Sequence, residues 1–145
     1  MTKIVYNNCF GGFNLSEEAK MLYAKKKGIT IYPERHKRYT WIVYYWKVSA
    51  DQRPKHIESD EWLKMSLEDK QEHNKKYNEA RFNERDIPRH DPALVEVVEE
   101  LGEKANGMCA DLAIAEIPKG TKYRIDEYDG NESVMTIDDY DWQTA

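Results

Sequence analysis

The chain has 145 residues, of which 40% are hydrophobic, and a formal net charge of −5. One ordinary domain has this size, and no apolar run approaches the roughly 20 residues that a membrane-spanning helix needs. The N-terminal sequence MTKIVYNN also lacks the long apolar segment of a secretory signal. This composition argues against membrane and secreted proteins. We therefore expect a cytoplasmic protein with Cys9 and Cys109 reduced.

Charge is unevenly distributed along the chain. Residues 1–57 hold 11 Lys+Arg against 4 Asp+Glu, or +7, whereas residues 58–145 hold 11 against 23, or −12. Two arrangements remain open: halves that attract each other across the core, or separate basic and acidic faces. Because the chain is not uniformly basic, nucleic acid is not an expected partner.

The N-terminal segment predicts a strand, a loop and a helix. The sequence KIVYN at 3–7 alternates and is β-branched, which is typical of a strand. Ser16 is a good N-cap for a helix over 17–27, and Gly28 is expected to end that helix. The loop between them, CFGGFNL, lies where backbone N–H groups next to a helix N-terminus can hold an anion.

An aromatic stretch follows a second predicted strand at 29–32. Its sequence, YTWIVYYW at 39–46, is aromatic and β-branched throughout and predicts another strand. One sheet face cannot cover so many rings, so we expect a homo-oligomer or other interface to bury part of them. The alternative is a central strand covered by helices on one face and by a loop or second subunit on the other. The candidate interface residues are Tyr39, Trp41, Tyr44 and Trp46.

The stretch 49–84 is polar and predicts an insertion-like helical module within the domain. Ser66 is followed by Leu-Glu-Asp, which resembles a capping box and opens a helix to about Phe82. Few residues of this helix are apolar. It is therefore expected at the surface.

The most regular pattern begins at Asp91, an N-cap followed by Pro92 at the first helical position. Apolar residues then recur at steps of three and four. We predict a helix over 92–106 ended by Gly107, and a strand at 110–117.

The C-terminal segment predicts two more strands and a tail. The turn sequence PKGT should join the strand at 110–117 to one at 122–128 as a hairpin, and Asp129-Gly130 should precede a strand at 134–137. Residues 138–145 form an acidic tail. The element order predicts an α+β fold in one domain, 1–145, with a mixed or mainly antiparallel sheet of five to six strands. The helices 92–106 and 17–27 are expected to pack on this sheet.

Two groups of residues could form a ligand site. The glycine loop offers amide donors, and two arginines near the start of the helix at 92–106 could bind phosphate in bidentate fashion. If these groups converge, a nucleotide or other phosphorylated molecule would fit. Alternatively, the glycines form a tight turn, and the arginines pair with neighbouring aspartates. The candidate ligand-binding residues are Asn8, Gly11, Gly12, Phe13, Arg85, Arg89 and His90.

Cys9 is a weak candidate for a catalytic nucleophile. A nearby helix N-terminus could activate its thiol if a histidine also came within reach, whereas the alternative is a small buried side chain. The four histidines are too dispersed for a zinc pattern, and DEYDGNES lacks the calcium-loop spacing. We therefore expect no metal and no cofactor.

Three segments of the chain resemble a small protein family encoded in bacteriophage and prophage genomes. They are IVYNNCFGGFNLSEEA, WLKMSLEDKQEHNKKYNEARFNERDIPRHDPALVEVVEELGEKANG and IAEIPKGTKYRIDEYDGNES. The resemblance covers nearly the whole chain but brings no known chemistry. It implies a setting in the host cell cytoplasm. The expected function is that of a phage accessory protein that binds a host component, in host takeover or counter-defence, without catalysis. The alternatives are a protein that binds or sequesters a nucleotide or phosphorylated ligand, and a small thiol enzyme using Cys9.

Overall fold

The computed structural model describes residues 1–139 and 143–145, and this part of the chain is α+β with four α-helices and six strands. In chain order these elements are β1 (Thr2–Asn7), α1 (Glu17–Lys27), β2 (Tyr32–Arg35), β3 (Val43–Trp46), α2 (Ser59–Lys64), α3 (Leu67–Ala80), α4 (Pro92–Leu101), β4 (Leu112–Ile117), β5 (Tyr123–Tyr128) and β6 (Asn131–Thr136). Short 3₁₀ turns cover Ala50–Gln52, Glu84–Asp86, Gly102–Ala105 and Ile137–Asp139. None of the described helices is long and apolar enough to cross a membrane.

The chain divides into two compact units. Residues 1–29 and 84–145 form the first unit, and residues 30–83 form the second. The predicted module at 49–84 lies inside the second unit except for its last residue. Part of the predicted acidic tail, residues 140–142, lies outside the described residues, whereas Asp138 and Asp139 belong to the last 3₁₀ turn.

The expected sheet of five to six strands is wrong, because the strands form three separate antiparallel pairs: β1 with β4, β2 with β3, and β5 with β6. In the first unit, the N–H groups of Val5 and Asn7 are not used by a further strand. Val5 N–H donates to the Arg89 carbonyl and Asn7 N–H donates to the Glu132 carboxylate, each at 2.9 Å. Among the described residues, no further strand therefore pairs with the edge of β1 that faces away from β4.

The core of the first unit lies between the β1–β4 pair and two helices. Ile4 and Val5 of β1 are fully buried, and so are Leu94 and Val97 of α4. Helix α1 packs against α4, and Ala19 is its most deeply buried residue. The apolar spacing of α4 thus predicts its buried side correctly.

Both ends of the predicted helix 17–27 are confirmed. The Ser16 hydroxyl accepts a hydrogen bond from the Ala19 N–H at 3.1 Å, which satisfies one of the free donors of the first turn. Gly28, at φ 68°, supplies the left-handed residue after the helix.

The predicted end of the central helix is wrong. Helix α4 stops at Leu101, where Gly102 adopts φ 56°, and the chain continues as a 3₁₀ turn to Ala105. The apolar spacing persists to Ala105 because that side chain is still buried, although the backbone is no longer α-helical. Gly107 has a different role, since a Cβ there would lie 2.5 Å from Asn14 Oδ1.

Of the two turns predicted in the C-terminal segment, Asp129-Gly130 joins a hairpin and PKGT does not. Asp129 and Gly130 have φ values of 49° and 87°, as the turn that joins β5 to β6 requires. The PKGT sequence does not close a hairpin, because β4 pairs with the N-terminal strand β1.

In the second unit, the predicted strands at 29–32 and 39–46 are both misplaced. Strand β2 spans Tyr32–Arg35 and includes Pro33, and β3 spans only Val43–Trp46. Between the two strands, His36 Nδ1 accepts the N–H groups of Arg38 and Tyr39 at 3.1 and 2.9 Å. Residues 37–41 therefore form the turn of a hairpin.

Two short stretches complete the second unit. Helix α3 begins as predicted, with the Ser66 hydroxyl accepting the Asp69 N–H at 3.1 Å. The residues after α3 lie along the outer edge of β3, where Phe82 N–H donates to the Tyr45 carbonyl at 2.8 Å and Lys47 N–H to the Ala80 carbonyl at 2.7 Å. Tyr45 and Trp46 are consequently buried.

Candidate functional site

A cavity of about 340 Å³ in the first unit brings together four of the predicted ligand-binding residues. The glycine loop contributes two of them, and the arginines before α4 contribute the others. The remaining lining comes from the β5–β6 hairpin, which the sequence did not associate with this site. The lining residues are Gly12, Phe13, Arg85, Arg89, Ile125, Glu127, Gly130 and Glu132.

The glycine loop and the β5–β6 turn contact each other directly. A Cβ on Gly130 would lie 2.6 Å from both Gly12 N and the Phe10 carbonyl oxygen, so only glycine allows this approach. The Asn7 amide group donates to the carbonyls of Cys9 and Gly130, each at 2.8 Å. Its Oδ1 accepts the Asp111 N–H at 2.8 Å. The wall of the cavity is therefore fixed by an asparagine that the sequence showed only as the end of a strand.

Arg89 forms a bidentate ion pair with Glu132 inside this cavity. The two N–O distances are 2.6 and 2.9 Å, and only 14% and 7% of the two side chains are exposed. The Arg89 guanidinium also lies 3.5 Å from the centroid of the Phe13 ring. Arg89 thus pairs with a carboxylate 43 positions later rather than with the aspartates next to it.

This ion pair determines the charge of the cavity. The two arginines face two carboxylates, Glu127 and Glu132, so the formal charge of the lining is zero. Glu127 accepts the Gly130 N–H at 2.7 Å. A phosphate group would have to compete with Glu132 for Arg89. Arg85 also lines the cavity and is exposed.

The two helix N-termini near the site are occupied by the protein itself. Ser16 caps α1, and its hydroxyl donates to the Lys104 carbonyl at 2.6 Å. Asp91 caps α4 by accepting the Ala93 N–H at 2.9 Å, and it also accepts the Tyr23 hydroxyl at 2.9 Å. The expected use of both helix ends for anion binding has no support from these contacts.

The environment of Asp91 favours its ionised form. Burial disfavours the charge, but hydrogen bonds from Tyr23 and the Ala93 N–H, together with Lys27 at 3.3 Å, hold the pKa of Asp91 below its usual value. Burial and the contact with Asp91 raise the pKa of Tyr23 to about 12. This cluster stabilises the start of α4.

Three predicted ligand residues lie outside the cavity lining. Asn8 is exposed, and its N–H donates to the Asp111 carbonyl at 2.8 Å. Gly11 packs against Cys109, whose carbonyl a Cβ would strike. His90 lies at a smaller cavity of about 240 Å³, where its Nδ1 is 2.6 Å from the Tyr123 hydroxyl. No pattern in the sequence separates His90 from Arg89.

Cys9 is half-buried and is a free thiol, as is Cys109. The Cys9 sulfur lies 3.0 Å from the Cys109 carbonyl oxygen and 3.4 Å from Asn7 Oδ1. Neither atom is a base that can take the thiol proton in catalysis. The contacts resemble those of a structural cysteine.

The four predicted interface residues divide into two pairs. Trp46 is buried and Tyr44 half-buried, and Arg81 lies over both rings at 5.3 and 4.7 Å from their centroids. Tyr39 and Trp41 are 40% and 65% exposed in the turn of the β2–β3 hairpin. We name residues 36–41 the aromatic turn.

The aromatic turn is internally ordered. The ring centroids of Tyr39 and Trp41 are 5.3 Å apart, and the His36 ring lies 5.2 Å from that of Tyr39. The Arg38 guanidinium is 5.4 Å from the Tyr39 centroid. Two exposed rings and a cation are thus held together on one turn.

Within residues 1–139 and 143–145, no three His, Cys, Asp or Glu side chains are grouped as metal ligands would be.

No protein-family model, curated protein or solved structure matches this chain.

Proposed function

We propose that this chain is a phage-encoded accessory protein that binds a host protein through the aromatic turn, without catalysis, in host takeover or counter-defence. The observation that carries the proposal is the exposure of Trp41, 65% of which is open to solvent beside the half-open Tyr39. Tryptophan, tyrosine and arginine supply most of the binding energy in protein interfaces. The phage setting rests on the sequence resemblance.

The hydrogen bonds within the turn support a binding role. Both N–H groups that His36 accepts belong to the turn, and the His36 N–H itself donates to the Ile42 carbonyl at 2.8 Å. A surface that is already ordered loses less conformational entropy on binding than a flexible loop. The rings of Tyr39 and Trp41 are therefore presented in a fixed arrangement.

Charge indicates the kind of partner. The segment 35–41, RHKRYTW, contains three Lys or Arg residues and no Asp or Glu. Positive charge around exposed rings favours a partner surface that carries carboxylates around an apolar pocket. We therefore propose an acidic host protein.

Affinity purification from the bacterial host tests this function. Tagged wild-type protein is compared with Trp41→Ala and with Leu63→Ala, a matched control because Leu63 is 77% exposed in the same unit but outside the turn. We expect one host protein to be recovered with wild type and Leu63→Ala, and at least about tenfold less of it with Trp41→Ala. Equal recovery with Trp41→Ala would contradict the proposal. Loss of the partner after nuclease treatment would indicate a nucleic acid instead.

The cavity favours a second candidate function, the binding of a nucleotide or other phosphorylated ligand. Its support is the convergence of Gly12, Phe13, Arg85 and Arg89 on one space of about 340 Å³. The pairing of Arg89 with Glu132 weighs against it. Calorimetric titration with ATP, for wild type and Arg85→Ala, tests this candidate: we expect weaker binding by Arg85→Ala, and no heat with wild type would exclude ATP as the ligand.

A further inference from the structure

Strand β4 has one edge that is not paired in the described part of the chain. The Asn8 N–H donates to the Asp111 carbonyl just beyond the β1–β4 ladder, and hydrogen-bonded pairs alternate along antiparallel strands. The peptide groups of Ala113, Ala115 and Ile117 therefore face β1. Those of Leu112, Ile114 and Glu116 point away from it.

Three further contacts confirm this alternation. The Val5 and Asn7 N–H groups of β1 bond Arg89 and Glu132 and so point away from β4. The Leu112 N–H of β4 bonds Asn106 Oδ1 at 2.9 Å and so points away from β1. Among the described residues, the outward peptide groups of Ile114 and Glu116 have no hydrogen-bond partner.

The outer edge of β4 is less protected than the edges of β5, β2 and β3. Strand β5 reads YRIDEY and carries three charged residues, β2 contains Pro33, and the outer edge of β3 is bonded by residues 80–82. Charge, proline and coverage each protect an edge from pairing. Strand β4 reads LAIAEI, with one charge and no proline, and among the described residues only the Leu112 N–H of its outer edge is bonded.

We propose that β4 pairs with β4 of a second copy of this chain, antiparallel and with the twofold axis at Ala115. In this register Ile114 lies opposite the partner's Glu116. The N–H and carbonyl of each residue bond those of the other, so the pairing uses the unsatisfied groups of both chains. Leu112 keeps its bond to Asn106.

The side chains suit this register. Ala115 lies opposite its own copy in a pair without mutual hydrogen bonds, where strands approach most closely, and alanine allows that approach. Glu116 faces an isoleucine rather than another carboxylate. Moving the axis to Glu116 would place two like charges opposite each other, which is destabilising. The interface is isologous, as twofold symmetry requires.

This inference is independent of the proposed partner of the aromatic turn. The expected homo-oligomer would then form through β4 rather than through the aromatic stretch at 39–46. The two proposals therefore fail separately: a strict monomer could still bind a host protein, and a dimer could still lack one.

Cysteine cross-linking tests the register in the full chain. Cys9→Ser and Cys109→Ser remove the native thiols, and Ala115→Cys or Ala113→Cys is added to this background. Across the axis, Ala115 and its copy lie about 5 Å apart, close enough for a disulfide. Ala113 and its copy are offset by four residues, or about 13 Å along the strand, which is too far.

We expect mild oxidation to convert Ala115→Cys to a species of twice 17.1 kDa on a non-reducing gel, and to leave Ala113→Cys monomeric. Cross-linking of both variants alike, or of neither, would overturn the proposed register. Light scattering of the wild type at tens of micromolar should give twice the chain mass. Glu116→Pro removes one outward N–H and should shift that mass to the monomer. A monomeric wild type would overturn the pairing.

Discussion

Glu132 accepts a hydrogen bond from the backbone N–H of Asn7, 125 positions earlier in the chain, while its carboxylate holds the Arg89 guanidinium. One side chain thus joins the first strand, the loop before α4 and the C-terminal hairpin. Both charges of the ion pair are largely buried. Removing one of them leaves the other without compensation.

Glu132→Ala should lower the free energy of unfolding by about 3–5 kcal/mol, because it leaves a buried arginine unpaired. The control is Glu99→Ala, which removes the exposed pair with Lys3 and should change the stability much less, because solvent screens that pair. Urea denaturation measures both values. Similar losses of stability in the two variants would show that the Arg89–Glu132 pair contributes no more than an exposed ion pair.

Two leucines of α4 allow a matched test of burial. Leu94 is fully buried, whereas Leu101 is half-buried at the end of the helix. Leu94→Ala should cost about 2–5 kcal/mol, and Leu101→Ala should cost clearly less. A larger loss for Leu101→Ala in urea melts would contradict the orientation of α4.

Stability should fall in acid through Asp91. Since its pKa is lower in the folded than in the unfolded state, its contribution is present above the unfolded value and is lost as pH falls through the folded value. Asp91→Asn keeps a good N-cap but removes this titration. The difference in unfolding free energy between wild type and Asp91→Asn should therefore shrink between about pH 5 and pH 2. A constant difference would contradict this explanation.

Gly130 and Gly120 form a matched pair for the contact between the turn and the glycine loop. Their φ values are 87° and 85°, so alanine is strained at either position. Only Gly130 also faces backbone atoms, at 2.6 Å. Gly130→Ala should therefore cost about 1–3 kcal/mol more than Gly120→Ala. Equal melting temperatures would show that the loop and turn separate easily.

Local signals predicted the helix starts, because Ser16, Ser66 and Asp91 act on donors two or three residues away. The strand predicted at 39–46 is too long, because residues 37–41 form a turn in which His36 Nδ1 accepts the Arg38 and Tyr39 N–H groups. β-propensity does not contain that information.

The candidate site was predicted in part. The sequence leaves open whether the glycine loop converges with Arg85 and Arg89, and residues of both groups line the same cavity. The partner of Arg89 could not be deduced, because Glu132 belongs to a hairpin whose placement depends on Asn7 and Gly130. Such contacts across more than 100 positions leave no periodic pattern.

The pairing of β1 with β4 has a consequence for synthesis on the ribosome. Strand β1 is translated more than a hundred residues before its partner strand and the Glu132 carboxylate. Its apolar residues, Ile4 and Val5, therefore stay exposed to solvent until β4 is translated. Residues 30–83, which form a compact unit, are translated in the meantime. Chain closure of this range is slow and leaves strands open to wrong partners. A chaperone that binds β1 during translation should accordingly raise the yield of folded protein more than it raises the folding rate of the completed chain.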